Sequence, residues 1–190
     1  YLWLGTEAGL IRFDGIRFSR WTSSEGVAFP DELIVFSLHS APDGSLWLGF
    51  QSGGMGRIKD GQLERFGSSD GIAEGRIRFV LHDRRGSIWA GGPNGIYEFR
   101  GGRWTGVGIG SGLPQDGAYD AHEDGIGRLW IATESGIFVR APGADRFHST
   151  GHEIGQQLSA DAAGTLWVTS PKTGYRRLDG QPVSPHLSVY

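Results

Sequence analysis

The sequence predicts an all-β repeat protein, because one short unit recurs five times at a nearly constant spacing. Each copy has an apolar residue, a tryptophan, a second apolar residue and then small residues, as in Leu46-Trp47-Leu48-Gly49. Successive repeat tryptophans are 37 to 44 residues apart, and they are Trp3, Trp47, Trp89, Trp130 and Trp167. A period of about 40 residues that carries strands is typical of propeller blades, which bury their apolar faces only by stacking on neighbours. The predicted fold is therefore a β-propeller.

Within one repeat, short apolar runs between turn residues predict four antiparallel strands. In the fourth copy, the inner strand is expected at Ala118–Glu123, the second at Arg128–Thr133, the third at Ile137–Arg140 and the outer at Arg146–Ser149. The segments between them contain Gly, Asp and Pro, the residues that hairpin turns require. No window of the chain keeps a helical apolar period free of turn signals.

The same pattern returns in three other copies, at Leu33–Gly67, Ile77–Gly106 and Gln157–Val183. The first copy starts inside its second strand, so its blade is expected to be incomplete. Residues 1–190 are expected to form one propeller domain or a propeller segment, with no second domain. Five blades close into a small propeller only if His186–Tyr190 or another chain supplies the absent strand. Otherwise the chain is a segment of a larger propeller, whose open edges need cover.

Recurring glycines, aspartates and tryptophans have structural explanations. A glycine three residues before the tryptophan provides the positive-φ position of the turn between the first two strands. Asp83, Asp124 and Asp161, each three residues before that glycine, are expected to close Asx turns. All five repeat tryptophans are expected to be buried between blades. Trp21 and Trp104 lie outside the motif on outer strands, and we expect them to contribute less to stability.

Composition excludes several classes of function. A net charge of −3 provides no polybasic surface for nucleic acid. The absence of cysteine excludes disulfides and thiolate metal sites. No run of 18 apolar residues occurs, so this sequence is not expected to insert into a membrane. With 33 glycines placed at turns and 38% apolar residues, the chain is expected to fold around a core.

The segment Asp43-Gly44-Ser45-Leu46-Trp47-Leu48-Gly49 and its copies resemble the two-component regulator propeller repeat. The opening residues 1–18 are especially similar to the first blade of such domains. The third copy departs from the pattern at Ala90-Gly91-Gly92, and the fifth at Thr169-Ser170. The resemblance implies the periplasmic sensor propeller of bacterial hybrid histidine kinases or diguanylate cyclases, non-catalytic and without a cofactor. It also implies a small extracellular ligand, such as a glycan fragment, and membrane-linked output domains that this sequence does not contain.

Comparison of the repeats predicts where a ligand binds. Residues that are alike in every copy maintain the fold, whereas turns that vary between copies are free for recognition. The turns between second and third strands vary and should open on one face, together with the long loops 23–31, 68–75 and 109–117. The alternative is ordinary solvated turns. The predicted ligand-binding residues are Glu7, Gln51, Asn94, Glu134 and Lys172.

Two further functions remain open. His39, His82 and His122 lie near the ends of successive inner strands, but His82 is one position out of register. Because strand side chains alternate, it should point away from the side of the other two, so a shared metal site is not expected. A propeller lyase or hydrolase would instead use His39, His122 and Glu134, with Glu123 as an alternative base. An interaction module that forms a homodimer through its terminal blades is the third hypothesis.

Overall fold

The computed structural model describes residues 1–7, 9–171 and 174–178. Eighteen strands in these residues form five antiparallel sheets, and the only helical elements among them are two 3-10 turns. This confirms the all-β propeller prediction. The chain divides into two compact units, Tyr1–Gly106 and Val107–Tyr190.

The first unit contains three sheets in which neighbouring strands are consecutive along the chain. Sheet 1 contains β1 (Leu2–Thr6), β2 (Gly9–Phe13) and β3 (Phe18–Arg20). Sheet 2 contains β4 (Val35–Ser40), β5 (Leu46–Phe50), β6 (Met55–Lys59) and β7 (Gln62–Phe66). Sheet 3 contains β8 (Phe79–His82), β9 (Ile88–Gly92), β10 (Gly95–Arg100) and β11 (Arg103–Val107). A 3-10 turn at Ser68–Asp70 precedes sheet 3.

The second unit contains two sheets built in the same order. A 3-10 turn at Ile109–Ser111 leads into sheet 4. Sheet 4 contains β12 (Ala118–Glu123), β13 (Leu129–Thr133), β14 (Gly136–Arg140) and β15 (His148–Ser149). Sheet 5 contains β16 (Gln157–Ala160), β17 (Leu166–Ser170) and β18 (Gly174–Arg177). These strands agree with the prediction for the fourth repeat, and the outer strand predicted for the fifth repeat falls outside the described residues.

The predicted Asx turns are confirmed, and each has a second function that the sequence reasoning missed. Oδ1 of Asp83 accepts the backbone N–H groups of Arg85 and Ser87, at 3.0 and 2.9 Å. Oδ2 of the same carboxylate accepts the indole N–H of Trp89, at 2.8 Å. In the same way, Oδ2 of Asp124 accepts the indole N–H of Trp130 at 2.9 Å, and Oδ2 of Asp161 accepts that of Trp167 at 3.0 Å. One carboxylate therefore closes the turn and orients the repeat tryptophan six residues later.

The prediction that all five repeat tryptophans are buried is wrong at both ends of the chain. Trp47, Trp89 and Trp130 are only 3%, 1% and 7% exposed. Trp3 and Trp167 are half-buried. Trp47 faces the following sheet, and the described residues contain no sheet after the fifth that could cover Trp167. The reason at Trp3 is different, because a sheet follows it but supplies smaller side chains.

We expected Trp21 and Trp104 to contribute less to stability than the repeat tryptophans, but their burial does not support this expectation. Trp21 is 8% exposed and Trp104 is 4% exposed. The Trp104 ring lies 5.8 Å from Trp47, 6.1 Å from Phe66 and 5.2 Å from Phe99. Sequence position off the repeat motif therefore does not indicate exposure, and Trp104 shows why, because it covers Trp47 of the preceding sheet.

Candidate functional site

The predicted ligand-binding residues that the structure describes lie in exposed turns. Glu7 follows β1, Gln51 follows β5 and Asn94 follows β9, so each is at the same end of its own sheet in the first unit. In the second unit, Glu134 is exposed in the turn between β13 and β14. Lys172 lies outside the described residues. The structure thus provides accessible side chains at the four described positions.

The Asn94 side chain is hydrogen-bonded to the loop that enters sheet 3. Its Nδ2 donates a hydrogen bond to the backbone oxygen of Glu74, at 2.5 Å. Glu74 also forms an isolated β-bridge with Gly53, in the turn of sheet 2. The loop that enters sheet 3 is therefore held between the turns of sheets 2 and 3. Replacement of Asn94 would therefore remove a structural contact.

A cavity of about 370 Å³ opens beside the turn that contains Gln51. Its walls include Ser52 from this turn, Arg65 from β7, Asp70 from the 3-10 turn and Glu74 from the loop. The Asp70 carboxylate accepts the backbone N–H of Gly67 at 2.8 Å, which shapes the wall. We call this cavity the turn-face cavity. Its hydroxyls, carboxylates and guanidinium are groups that can exchange hydrogen bonds with a polyhydroxylated ligand.

In the second unit, the half-buried Asp116 lies next to the turn that contains the predicted residue Glu134. Ser135 Oγ donates a short hydrogen bond to Oδ2 of Asp116. Oδ1 of Asp116 is buried and has no hydrogen-bond partner among the described residues. Sequence reasoning missed Asp116 individually, and the only signal was its place in the loop 109–117.

The strand register confirms the predicted orientation of the three histidines. His39 pairs with Trp47 and His122 pairs with Trp130, whereas His82 pairs with Ile88. Burial lowers the pKa of His39, and the charge of His82 lowers it further. Within residues 1–7, 9–171 and 174–178, no group of three or more His, Asp or Glu side chains could hold a metal ion.

Three of the four residues proposed for a catalytic alternative, His122, Glu123 and Glu134, belong to sheet 4 or its turn. His122 is level with Trp130, whereas Glu134 lies beyond Thr133 at the other end of β13. Three strand residues at about 3.3 Å each put at least about 10 Å between them. Glu123 is adjacent to His122, but consecutive strand side chains point to opposite faces. Within sheet 4, His122 is therefore not placed to form an acid–base pair with Glu134 or with Glu123.

No protein-family profile matches the chain, and no curated protein sequence matches it either. Solved structures with the same fold are numerous.

The likeness to three solved structures is extensive but distant in sequence. The extracellular domain of a hybrid two-component system from B. thetaiotaomicron matches with a TM-score of 0.66 and 17% identity, over 96% of this chain and 30% of that chain. Catalytically inactive virginiamycin B lyase from Staphylococcus aureus with quinupristin matches with a TM-score of 0.69 and 16% identity, over 95% of this chain and 67% of that chain. PorZ is a bacterial surface component of the type-IX secretion system of Porphyromonas gingivalis. It matches with a TM-score of 0.67 and 14% identity, over 92% of this chain and 30% of that chain.

These likenesses include both an extracellular domain of a signalling system and an enzyme, so the fold itself is compatible with either function. The chain spans about three tenths of the length of the signalling domain and of the surface component. No helix among the described residues is long and apolar enough to cross a membrane. The five antiparallel sheets and the shared architecture identify this chain as a β-propeller protein, similar in fold to the extracellular domain of a hybrid two-component system.

Proposed function

We propose that this chain is a ligand-sensing propeller module of a bacterial transmembrane signalling protein, located in the periplasm and not catalytic itself. The observation that carries the proposal is the fold it shares with the extracellular domain of a hybrid two-component system. The repeat residues around Trp47, which resemble the two-component regulator propeller, support the same function. The output domains would be joined to it through the membrane.

The turn-face cavity is the binding site we favour for the sensed molecule. It combines the Ser52 hydroxyl with the Asp70 and Glu74 carboxylates and the Arg65 guanidinium. Such groups suit a neutral, hydroxyl-rich molecule, since each can exchange hydrogen bonds with several ligand hydroxyls. A glycan fragment of one or two sugar units fits a space of about 370 Å³.

The loop at this site offers a route from binding to signalling. The Glu74 segment contacts the turns of sheets 2 and 3 through Gly53 and Asn94. A ligand that binds one arrangement of this loop more tightly than another shifts the population between them. Binding would then change how the edges of two blades are presented to a partner.

Calorimetric titration of the purified protein with a panel of small oligosaccharides tests this site. Ser52→Ala and Arg65→Gln should weaken binding of any ligand found by about tenfold, because both side chains line the cavity and each substitution removes a hydrogen bond to the ligand. Ser159→Ala, at an exposed serine in the second unit, is the matched control for Ser52→Ala and should bind normally. Unchanged affinity in both site variants would contradict the turn-face site.

A lyase of the virginiamycin B type is the second candidate, because the structure of that enzyme covers 95% of this chain. We infer that this candidate is weaker, since His122 and Glu134 lie at different ends of sheet 4. Incubation with quinupristin and Mg²⁺ followed by mass spectrometry distinguishes the two. Recovery of unaltered quinupristin supports the sensor, and linearisation of many quinupristin molecules per protein molecule would replace it with the enzyme.

A further inference from the structure

A second cavity, of about 430 Å³, lies in the first unit between sheets 1 and 2. Its walls include Trp3 and Arg12 from sheet 1, and Ser45 and Lys59 from sheet 2. Trp3 is near the start of β1, Ser45 directly precedes β5, and Lys59 ends β6. The cavity is therefore at the opposite ends of these sheets from the turns that follow β1 and β5. We call it the seam cavity.

The next space between sheets shows how such a seam is normally filled. Between sheets 2 and 3, Trp47 is covered by three aromatic rings. Phe66 from its own sheet stacks at 5.8 Å, and Phe99 and Trp104 of the following sheet lie at 5.0 and 5.8 Å. The result is a tryptophan that is 3% exposed.

Between sheets 1 and 2, two of those rings are replaced by smaller side chains. Ile58 occupies the place of Phe99, because each pairs with the residue that precedes the repeat tryptophan of its sheet. Leu63 occupies the place of Trp104, since each follows five positions later. Trp3 accordingly stays half-buried, with the seam cavity beside it.

Comparison of sheets 1 and 2 also shows that an arginine of sheet 1 lacks the cross-strand carboxylate that its counterpart in sheet 2 has. In sheet 2, Arg57 pairs with Trp47 across the strands, lies over its ring at 5.5 Å and forms an ion pair with Glu64 at 2.6 Å. Glu64 is also the strand partner of Arg57 on β7.

In sheet 1, Arg12 holds the position of Arg57, because it pairs with Trp3. Its partner on β3 is Ser19, so the carboxylate is missing. The Arg12 guanidinium lies over the Tyr1 ring at 4.5 Å, and the exposed Asp14 carboxylate is near enough to interact with its charge.

The cations of the seam cavity differ in whether a carboxylate already pairs with them. Arg12, Arg20 and Lys59 line the cavity, together with the carboxylate of Asp60. Arg20 lies 3.9 Å from Asp31, and Lys59 is paired with Asp43 at 2.8 Å. An anion that enters would therefore pair with the Arg12 guanidinium, close to an exposed part of an indole ring.

We propose that the seam cavity binds a carboxylate carried on a six-membered ring. The ring lies against Trp3, in the space that aromatic rings fill in the next seam. The carboxylate pairs with Arg12, as Glu64 pairs with Arg57, and charge-assisted pairs of this kind are among the stronger hydrogen bonds. Both an aromatic acid and a hexuronic acid sugar have this chemistry. The site is separate from the turn-face cavity and does not depend on the sensor function.

Titration of the 190-residue protein with sodium benzoate and with sodium glucuronate, followed by NMR, tests the site. Benzyl alcohol and glucose are the uncharged counterparts. At least one acid should bind saturably, and its uncharged counterpart should bind at least about tenfold more weakly. Binding of benzoate alone assigns the site to aromatic acids, and binding of glucuronate alone assigns it to acidic sugars. Absence of saturable binding by both acids would overturn the proposal.

Two variants locate the bound acid. Arg12→Gln should weaken binding at least about tenfold, whereas Arg17→Gln, an exposed arginine with the same change in charge, should leave it unaltered. Equal effects of these two substitutions would also overturn the proposal. Ile58→Phe restores the ring found at Phe99, at a residue that lines the seam cavity, and should block it. If that variant does not fold, the pair of arginine variants still decides.

Discussion

Replacement of Asp83 by asparagine separates the two functions of the repeat aspartate. The Asp83 side chain is fully buried, and its two oxygens serve different partners. Oδ1 accepts the two turn N–H groups, and Oδ2 accepts the Trp89 indole N–H at 2.8 Å. An asparagine that keeps its oxygen in the turn directs an NH₂ group at the indole. The turn bonds then survive, but the indole bond is lost.

The expected cost follows from the hydrogen bonds affected. Asp83→Asn leaves the N–H of Trp89, a side chain that is 1% exposed, without an acceptor. A buried donor left unpaired costs roughly 1–3 kcal/mol of unfolding free energy. Asp83→Ala also removes two turn bonds of about 1 kcal/mol each, so its cost should be roughly 3–5 kcal/mol.

Urea unfolding monitored by circular dichroism measures both losses. Asp161→Asn is the matched control, because it breaks the same bond to Trp167 at an exposed carboxylate and a half-buried indole. Water can replace the lost partner there, so its loss of stability should be clearly smaller than that of Asp83→Asn. Equal losses at the two positions would refute the reasoning from burial.

Three further predictions concern stability and exposure. Trp104→Ala should cost roughly 3–5 kcal/mol in urea unfolding, as much as Trp89→Ala, because both are large buried rings. A much smaller loss would show that the outer-strand ring is not part of the core. Burial and then the charge of a neighbouring imidazole lower the pKa of His39 below 6.5, so the unfolded chain takes up its proton first as the pH falls. Stability should therefore decrease as the pH drops below 6.5, and His39→Gln should reduce that decrease in unfolding curves measured at several pH values. Iodide should quench part of the tryptophan fluorescence, and replacement of Trp3 and Trp167 by Phe should remove most of the quenched part.

The sequence by itself determined the repeat and the strands of each blade. The reason is that these features are local. A hairpin needs turn residues at fixed offsets and apolar residues at alternate positions. Both can be recognised within a single repeat, as in the strand Ala118–Glu123. The register slip of His82 was also predictable, because alternation along a strand depends only on position.

Only the tertiary structure decided which side chains of the neighbouring sheet pack against each residue. Trp3 and Trp47 have the same local sequence, yet one is half-buried beside a cavity and the other is 3% exposed. The difference arises from Leu63 and Trp104, which lie on outer strands of different sheets and carry no signal at the tryptophans themselves. Burial depends on the volume that distant residues supply across the seam, and that volume is fixed only when the sheets pack.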